Sequence, residues 1–205
     1  MRRALFLVLG AMLVLSATGR RTATMPAPPS WSTGAAVAAA AGLRCGAERW
    51  AVKTLTDPAA RRVNLKPIRS TIDTLRGLSV PGLVEFSTPR FQAEMRTYEV
   101  DARLLWVKEE EDRDFHLVAA DASGATMIAE IPDPDCAEAS PYVTTLRTVR
   151  NAFVSRFGRP DTRRFHAVSG EPAVAITGVL FFDIIHGQRG VAPNGVELHP
   201  VLDLK

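Results

Sequence analysis

Histidine and carboxylate side chains near the end of the chain offer the most chemistry. In the stretch 196–204, Val196, Leu198, Leu202 and Leu204 alternate with Glu197, His199, Val201 and Asp203, and a strand with that alternation sends the two sets to opposite faces. Glu197 and His199 then share a face about 7 Å apart along the strand, close enough for a carboxylate and an imidazole to converge on one ligand. The loop ahead of them, from Asp183 to Gly195, contributes His186 and Asn194 and is punctuated by three glycines. Asn194-Gly195 is also a tight-turn pair, which accounts for part of the loop without any ligand. His116, facing away from Phe115 and Leu117, and Glu130, on the next apolar stretch, complete the candidate ligand-binding set of His116, Glu130, His186, Asn194, Glu197 and His199.

Four of these, His116, His186, Glu197 and His199, are zinc-type donors. A divalent metal is therefore the alternative to a site without a cofactor, although no HxxxH or HExxH spacing places two ligands on one helix. A serine nucleophile has no support: GxSxG is absent, and Ser169-Gly170 lacks a strand-turn-helix setting. The acidic run Glu109 to Asp112 reads as a solvated turn, with Asp112 and Asp114 as the oxygens a calcium ion would take. His166, set among arginines, reads as a bystander.

These residues must be positioned by a mainly β chain. Trp50, Val52 and Leu55 alternate with polar residues as in a short strand, Asp57-Pro58 opens a brief helical turn through Arg61, and Ser70 or Thr71 caps a short helix carrying Ile72, Leu75 and Leu78. From Tyr98 to Trp106 the apolar residues recur at every second position. Residues 115–120 and 126–131 then form a hairpin about the turn Asp121 to Gly124. The one longer helix runs from Pro141, with Ser140 as N-cap, to about Phe157, where Gly158 and Pro160 stop it. Its residues Tyr142, Leu146, Val149, Phe153 and Phe157 make one apolar stripe, which is core. A continuous apolar strand, 174–182, and the strand 196–204 follow. Three strands, a helix and two strands is the order of an OB-fold, a small five-stranded barrel with its helix between strands 3 and 4. The fold class expected is mainly β (α+β): that barrel plus short N-terminal helices.

Residues 1–19 read as a secretory signal peptide, with Arg2 and Arg3 before an apolar run too short for a membrane span. An uncleaved leader would be the one route to a membrane. Residues 20–44, rich in Ala and Pro, read as a flexible tether, and 45–205 as a single domain. The setting expected is secreted or cell envelope and periplasm, where Cys45 and Cys136 would pair. The formal net charge of the chain is +3, and loss of Arg2 and Arg3 with the leader lowers it to +1. Nucleic acid is not favoured by a field that small.

The segments Cys45 to Asp57, Asp114 to Val118, Thr126 to Pro132 and Gly190 to Val201 resemble the signature segments of a family of bacterial exported proteins with no assigned function, and the likeness runs from Cys45 to Leu204. The resemblance implies an envelope or secreted setting and no activity. In topology alone the barrel resembles the thermonuclease-like enzymes, but their Asp, Arg and Glu pattern finds no matching positions here. The leading expectation is a non-enzymatic binding module for a small polar ligand, an oligosaccharide or a protein, using the barrel face and the 186–199 loop and strand. The rivals are a metal-dependent hydrolase of the phosphodiesterase or nuclease kind and a structural envelope protein.

Overall fold

Tyr98 to Trp106 do form a strand, and in the computed structural model it is part of the longest strand among the described residues. The structure describes Cys45, Gly46 and residues 48–205, so the leader and the tether lie outside the described residues. In chain order the elements are α1 (Trp50–Lys53), β1 (Asn64–Ser70), α2 (Ile72–Arg76), β2 (Arg96–Glu109), β3 (Phe115–Ala120), β4 (Thr126–Ile131), α3 (Val143–Phe157), β5 (His166–Ala167), β6 (Ala173–Phe182) and β7 (Val196–Leu204). β2, β3 and β4 form an antiparallel meander, β4 runs parallel to β7, β7 antiparallel to β6, and β6 returns to β2. That closes the expected five-stranded barrel, with α3 between its third and fourth strands.

β2 serves two neighbours by bending: its N-terminal half pairs with β6 and its C-terminal half with β3, and the register shifts between Leu104 and Trp106. Two strands lie outside the barrel, β1 parallel to β2 and the two-residue β5 antiparallel to it. Neither shows in the sequence. β1 is exposed along nearly its whole length, so it carries no period-two signal; backbone pairing and the ion pairs of Arg69 with Glu99 and Asp101 hold it to β2.

Strand interiors face a single core in which Leu104, Phe115, Leu117, Met127, Ile131, Ile176, Phe182 and Leu198 are buried. α3 closes one side of it. Leu146, Val149 and Phe153 of the expected stripe are buried, and the Phe153 ring lies 5.5 Å from that of Phe115. The helix begins two residues later than its sequence suggests: Ser140 Oγ accepts the Tyr142 N–H at 3.2 Å, so that turn precedes the helix. α2 is capped as expected, Thr71 Oγ1 accepting the Thr74 N–H at 3.1 Å. Trp50 to Lys53, expected as a strand, is instead the single helical turn α1, in which Val52 and Lys53 are buried, with Leu55 buried just after it. Asp57 accepts the Ala59 N–H at 3.0 Å, but only a 3₁₀ turn, Ala60–Arg62, follows.

The simple alternation expected for β7 holds only to His199. Gly178 of β6 pairs with Val201 and Leu180 with Leu198, so β7 carries one extra residue at His199-Pro200, and a second shift follows at Leu202. Each bulge turns the strand by one position. Val201 therefore joins Val196, Leu198 and Leu204 in the core, and Leu202 packs outside against the cluster that contains Val179. The bulge presses on Gly178, where a Cβ would stand 2.8 Å from Leu198 Cβ and 3.0 Å from the Pro200 carbonyl.

Cys45 is bonded to Cys136, joining the start of the domain to the segment after β4. Closing a loop of 91 residues is worth about 4–5 kcal/mol in the chain-entropy account. A disulfide points to an oxidising setting outside the cytoplasm. No helix among the described residues is long and apolar enough to cross a membrane.

Candidate functional site

β3 and β4 are buried on both faces, and their two faces differ in kind. Inward are Phe115, Leu117, Met127, Ala129 and Ile131. Outward on β3 is His116, whose partner in register on β4 is Glu130. The parallel pairing of β4 with β7 sets Ala129 beside Leu198, which brings Glu130 next to His199. Three adjacent strands thus carry a row of imidazole, carboxylate and imidazole across the outside of the barrel. Glu130 joins the row: Oε1 lies 3.1 Å from His116 Nδ1 and Oε2 3.1 Å from His199 Nδ1. Asp114, immediately before β3, stands at its far end with Oδ2 3.3 Å from His199 Nε2.

Two covers keep water from this face. The first is the segment around α1. Arg49 is fully buried, paired with Glu94 through both guanidinium nitrogens at 2.8 and 2.7 Å, and donates to the Phe182, Thr88 and Pro89 carbonyls. It also lies flat on Phe181, 4.6 Å from the ring centre. This clamp sets Lys53 over the sheet, its Nζ 3.6 Å from Asp183 Oδ2 and 5.5 Å from the Phe181 ring. The second cover is the loop between β6 and β7. Gly190, at φ +84°, brings its backbone so near β3 that a Cβ would meet Val118 Cγ1 at 2.5 Å. The loop backbone there makes the Arg189 carbonyl a partner of His116 Nε2 at 3.0 Å, while the Arg189 guanidinium lies over Trp106 at 4.4 Å.

Between the two covers opens a pocket of about 720 Å³. Glu48, Glu110, Glu111, Asp112, Glu130 and Asp183 line it against Lys53, Lys108 and Arg189, with His116, His186, Phe86 and Phe165 completing the wall. Its position matches where OB barrels take ligands: the outer face of barrel strands 2 and 3, here β3 and β4, and the loops after strands 1 and 4. The charge balance shapes the local chemistry. Burial, and then the charges of Asp114 and Glu130, push the Asp112 carboxyl up to about 7. Burial disfavours a charged Lys53, yet Glu130, Asp183, Glu197 and Asp114 together hold its ammonium above the usual lysine range. Burial likewise opposes a charge on His199, and Asp114 and Glu130 overcome it, so its imidazole binds a proton more tightly than usual; His116 follows through Glu130, Arg189 and Glu110. Glu130, facing both imidazoles, is held well below the carboxylate range despite its burial. The row therefore keeps protons on its imidazoles, with Glu130 as the anion between them.

Of the sequence candidates, His116 and Glu130 line the pocket and His186 stands exposed at its rim. His199 and Glu197 project from the barrel interior on the same side, as the alternation required, but under the floor: they are 0% and 2% exposed. The Glu197 carboxyl is pushed well above its usual range by burial and by Asp183 and Glu130. Asn194 is not part of the pocket; its amide donates to the Leu75 and Leu78 carbonyls, both at 3.0 Å, and so ties the loop to the end of α2. The four residues expected to share a metal do not gather as one set. The structure instead groups Glu48 with Asp183 and His186, and Asp114 with Glu130 and His199, each with ligand atoms within 4.8 Å of one another. Lys53, Asp183, Glu48 and Arg189 were not among the candidates, and of the acidic run at 109–112, expected as a solvated turn, residues 110–112 form part of the wall while Glu109 is bonded to Arg159. Asp114 carried a signal: it lies two residues before His116 and thus on its face of an extended chain.

No family model, curated protein or solved structure matches this chain. The functional reading therefore rests on the geometry above.

Proposed function

We propose that this domain is a binding module, exported from a bacterial cell, that takes a small polar ligand bearing a positively charged amine in the pocket over β3 and β4. The supporting observation is the wall itself: six carboxylates face three basic side chains among the described residues, on the ligand face of an OB barrel. An ammonium group entering it is desolvated among negative charges, which suits amino sugars and polyamines and opposes a phosphate backbone. The volume fits such ligands. The Cys45–Cys136 bond and the resemblance of the segment at Cys45 to exported bacterial proteins support the extracytoplasmic assignment.

A calorimetric panel of spermidine, glucosamine oligomers, the neutral oligosaccharides of the same length and a short oligonucleotide tests the reading. The amine-bearing compounds should bind, and the double variant Glu48→Gln/Glu110→Gln should weaken them by about tenfold or more, the effect of removing close charge partners. Binding of the neutral sugar or the oligonucleotide in preference to the amines would overturn it.

A further inference from the structure

We propose that Asp114, Glu130 and His199 form a buried site for one divalent transition-metal ion beneath the floor of the pocket. The three residues come from separate places in the chain, and the fold brings one ligand atom from each within 4.8 Å of the others. Asp114 and His199 are fully buried. Their polar atoms have close charged neighbours but no aligned hydrogen bond: His199 Nδ1 and Nε2 and Asp114 Oδ2 are all buried without one. The nitrogens lie 3.1 Å from Glu130 Oε2 and 3.3 Å from Asp114 Oδ2, near enough to bond but off the line a hydrogen bond requires. Such spacings suit two ligands of a single ion, since metal–nitrogen and metal–oxygen bonds of about 2.0–2.2 Å put neighbouring ligands roughly 3–3.5 Å apart.

One ring nitrogen of His199 would hold the ion together with one oxygen each from Asp114 and Glu130, the three ligand atoms lying within 4.8 Å of one another. Asp114 is itself fixed, its Oδ1 accepting the Asp133 N–H at 3.0 Å, so that Oδ2 is left aimed at the imidazole. One imidazole with two carboxylates selects zinc or manganese over calcium and magnesium, which take oxygen alone, and over copper(I), which takes sulfur. The ion would also offset part of the negative charge crowded under the pocket. The site is distinct from the amine pocket and does not rest on that reading; only Glu130 serves both.

The test uses the full chain purified from the periplasm, equilibrated with zinc or manganese chloride, dialysed against metal-free buffer and assayed by mass spectrometry for metal. One equivalent per chain is expected. Asp114→Asn and His199→Gln should each weaken the metal by at least about tenfold, as even losses around a ligand do, while Asp101→Asn, at an exposed position on β2 beside Arg69, leaves it unchanged. Because a variant could fail to fold, the wild-type chain is also loaded with cobalt(II), whose visible ligand-field bands should appear and be displaced by zinc. Metal well below one equivalent in the folded wild-type chain, absence of the cobalt bands, or undiminished affinity in folded Asp114→Asn would overturn the site and leave His199 as a protonated imidazole held between two carboxylates. Loss of amine binding with metal retained would fault the pocket reading alone.

Discussion

Two charged clusters lie buried against the same outer face of the barrel, and they differ in how completely their polar atoms are used. Around Arg49 the guanidinium makes five hydrogen bonds, to Glu94 and to the Phe182, Thr88 and Pro89 carbonyls, and Glu94 accepts two more from the Phe91 and Phe182 N–H groups. Around His199, five buried atoms of Asp114, Asp183, Glu197 and the imidazole make none. A buried charge stripped of water costs several kcal/mol unless partners replace the water. The first cluster meets that cost in full and acts as a clamp. The second meets it through charge contacts alone and leaves hydrogen-bonding capacity unused, which is what a bound group could take up.

Breaking the clamp should give the largest effect. Glu94→Gln leaves Arg49 charged and without a carboxylate in a fully buried position, and the loss should be about 3–5 kcal/mol of unfolding free energy. Chemical denaturation of the oxidised chain measures it. A loss below about 1 kcal/mol would mean that the backbone carbonyls alone satisfy Arg49, and the contrast between the clusters would shrink.

The opposite sign is expected in the second cluster. Glu197 is buried among Asp183 and Glu130, and its Oε2 has no hydrogen bond. Glu197→Gln removes an acid from a crowd of acids at almost constant shape, so at neutral pH the metal-free chain should keep its stability or gain up to about 1 kcal/mol. A loss comparable to that of Glu94→Gln would show Glu197 to be as structural as the clamp, and would sharpen the comparison in the other direction.

How much of this was legible in the sequence follows from what each signal depends on. The barrel was readable because β2 and α3 each bury one face or stripe, which writes a period into their residues, while β3, β4 and β6 are buried nearly throughout, which writes short apolar runs bounded by turns. β1 was not, since an exposed strand writes none. On β7 the period failed where the backbone bulged at His199-Pro200 and Leu202, a matter of register with β6 that no single segment encodes. His116, Glu130 and His199 could be named as chemistry on one face, but their meeting depends on the parallel pairing of β4 with β7 across α3. Burial of the row depended on contacts still more remote in sequence, Arg49 with Phe182 and Gly190 with Val118. A charged run such as 109–112 looks solvated until the rest of the fold leans over it.

Asp121, at the turn between β3 and β4, offers the smallest and most controlled version of the satisfied case. Its Oδ1 accepts from the Ser123 N–H, the Ser123 hydroxyl and the Ala125 N–H at 2.9, 2.6 and 3.3 Å, and its Oδ2 from the Asp73 N–H of α2 at 3.0 Å. Burial alone would raise the carboxyl, but these donors hold it below its usual value. A carboxyl lowered on folding stabilises the folded chain at every pH above its unfolded value, about 3.9, and that contribution fades as pH falls through the lower folded value. Asp121→Asn should therefore cost about 1 kcal/mol at pH 7, where an amide replaces charge-assisted acceptors. The gap between variant and wild type should then close as the buffer is taken down past pH 4, in thermal unfolding scans across that range. A gap that stayed constant into acid would show that the side chain's shape rather than its charge holds the turn, and would remove Asp121 from the class of buried carboxylates that the fold fully engages.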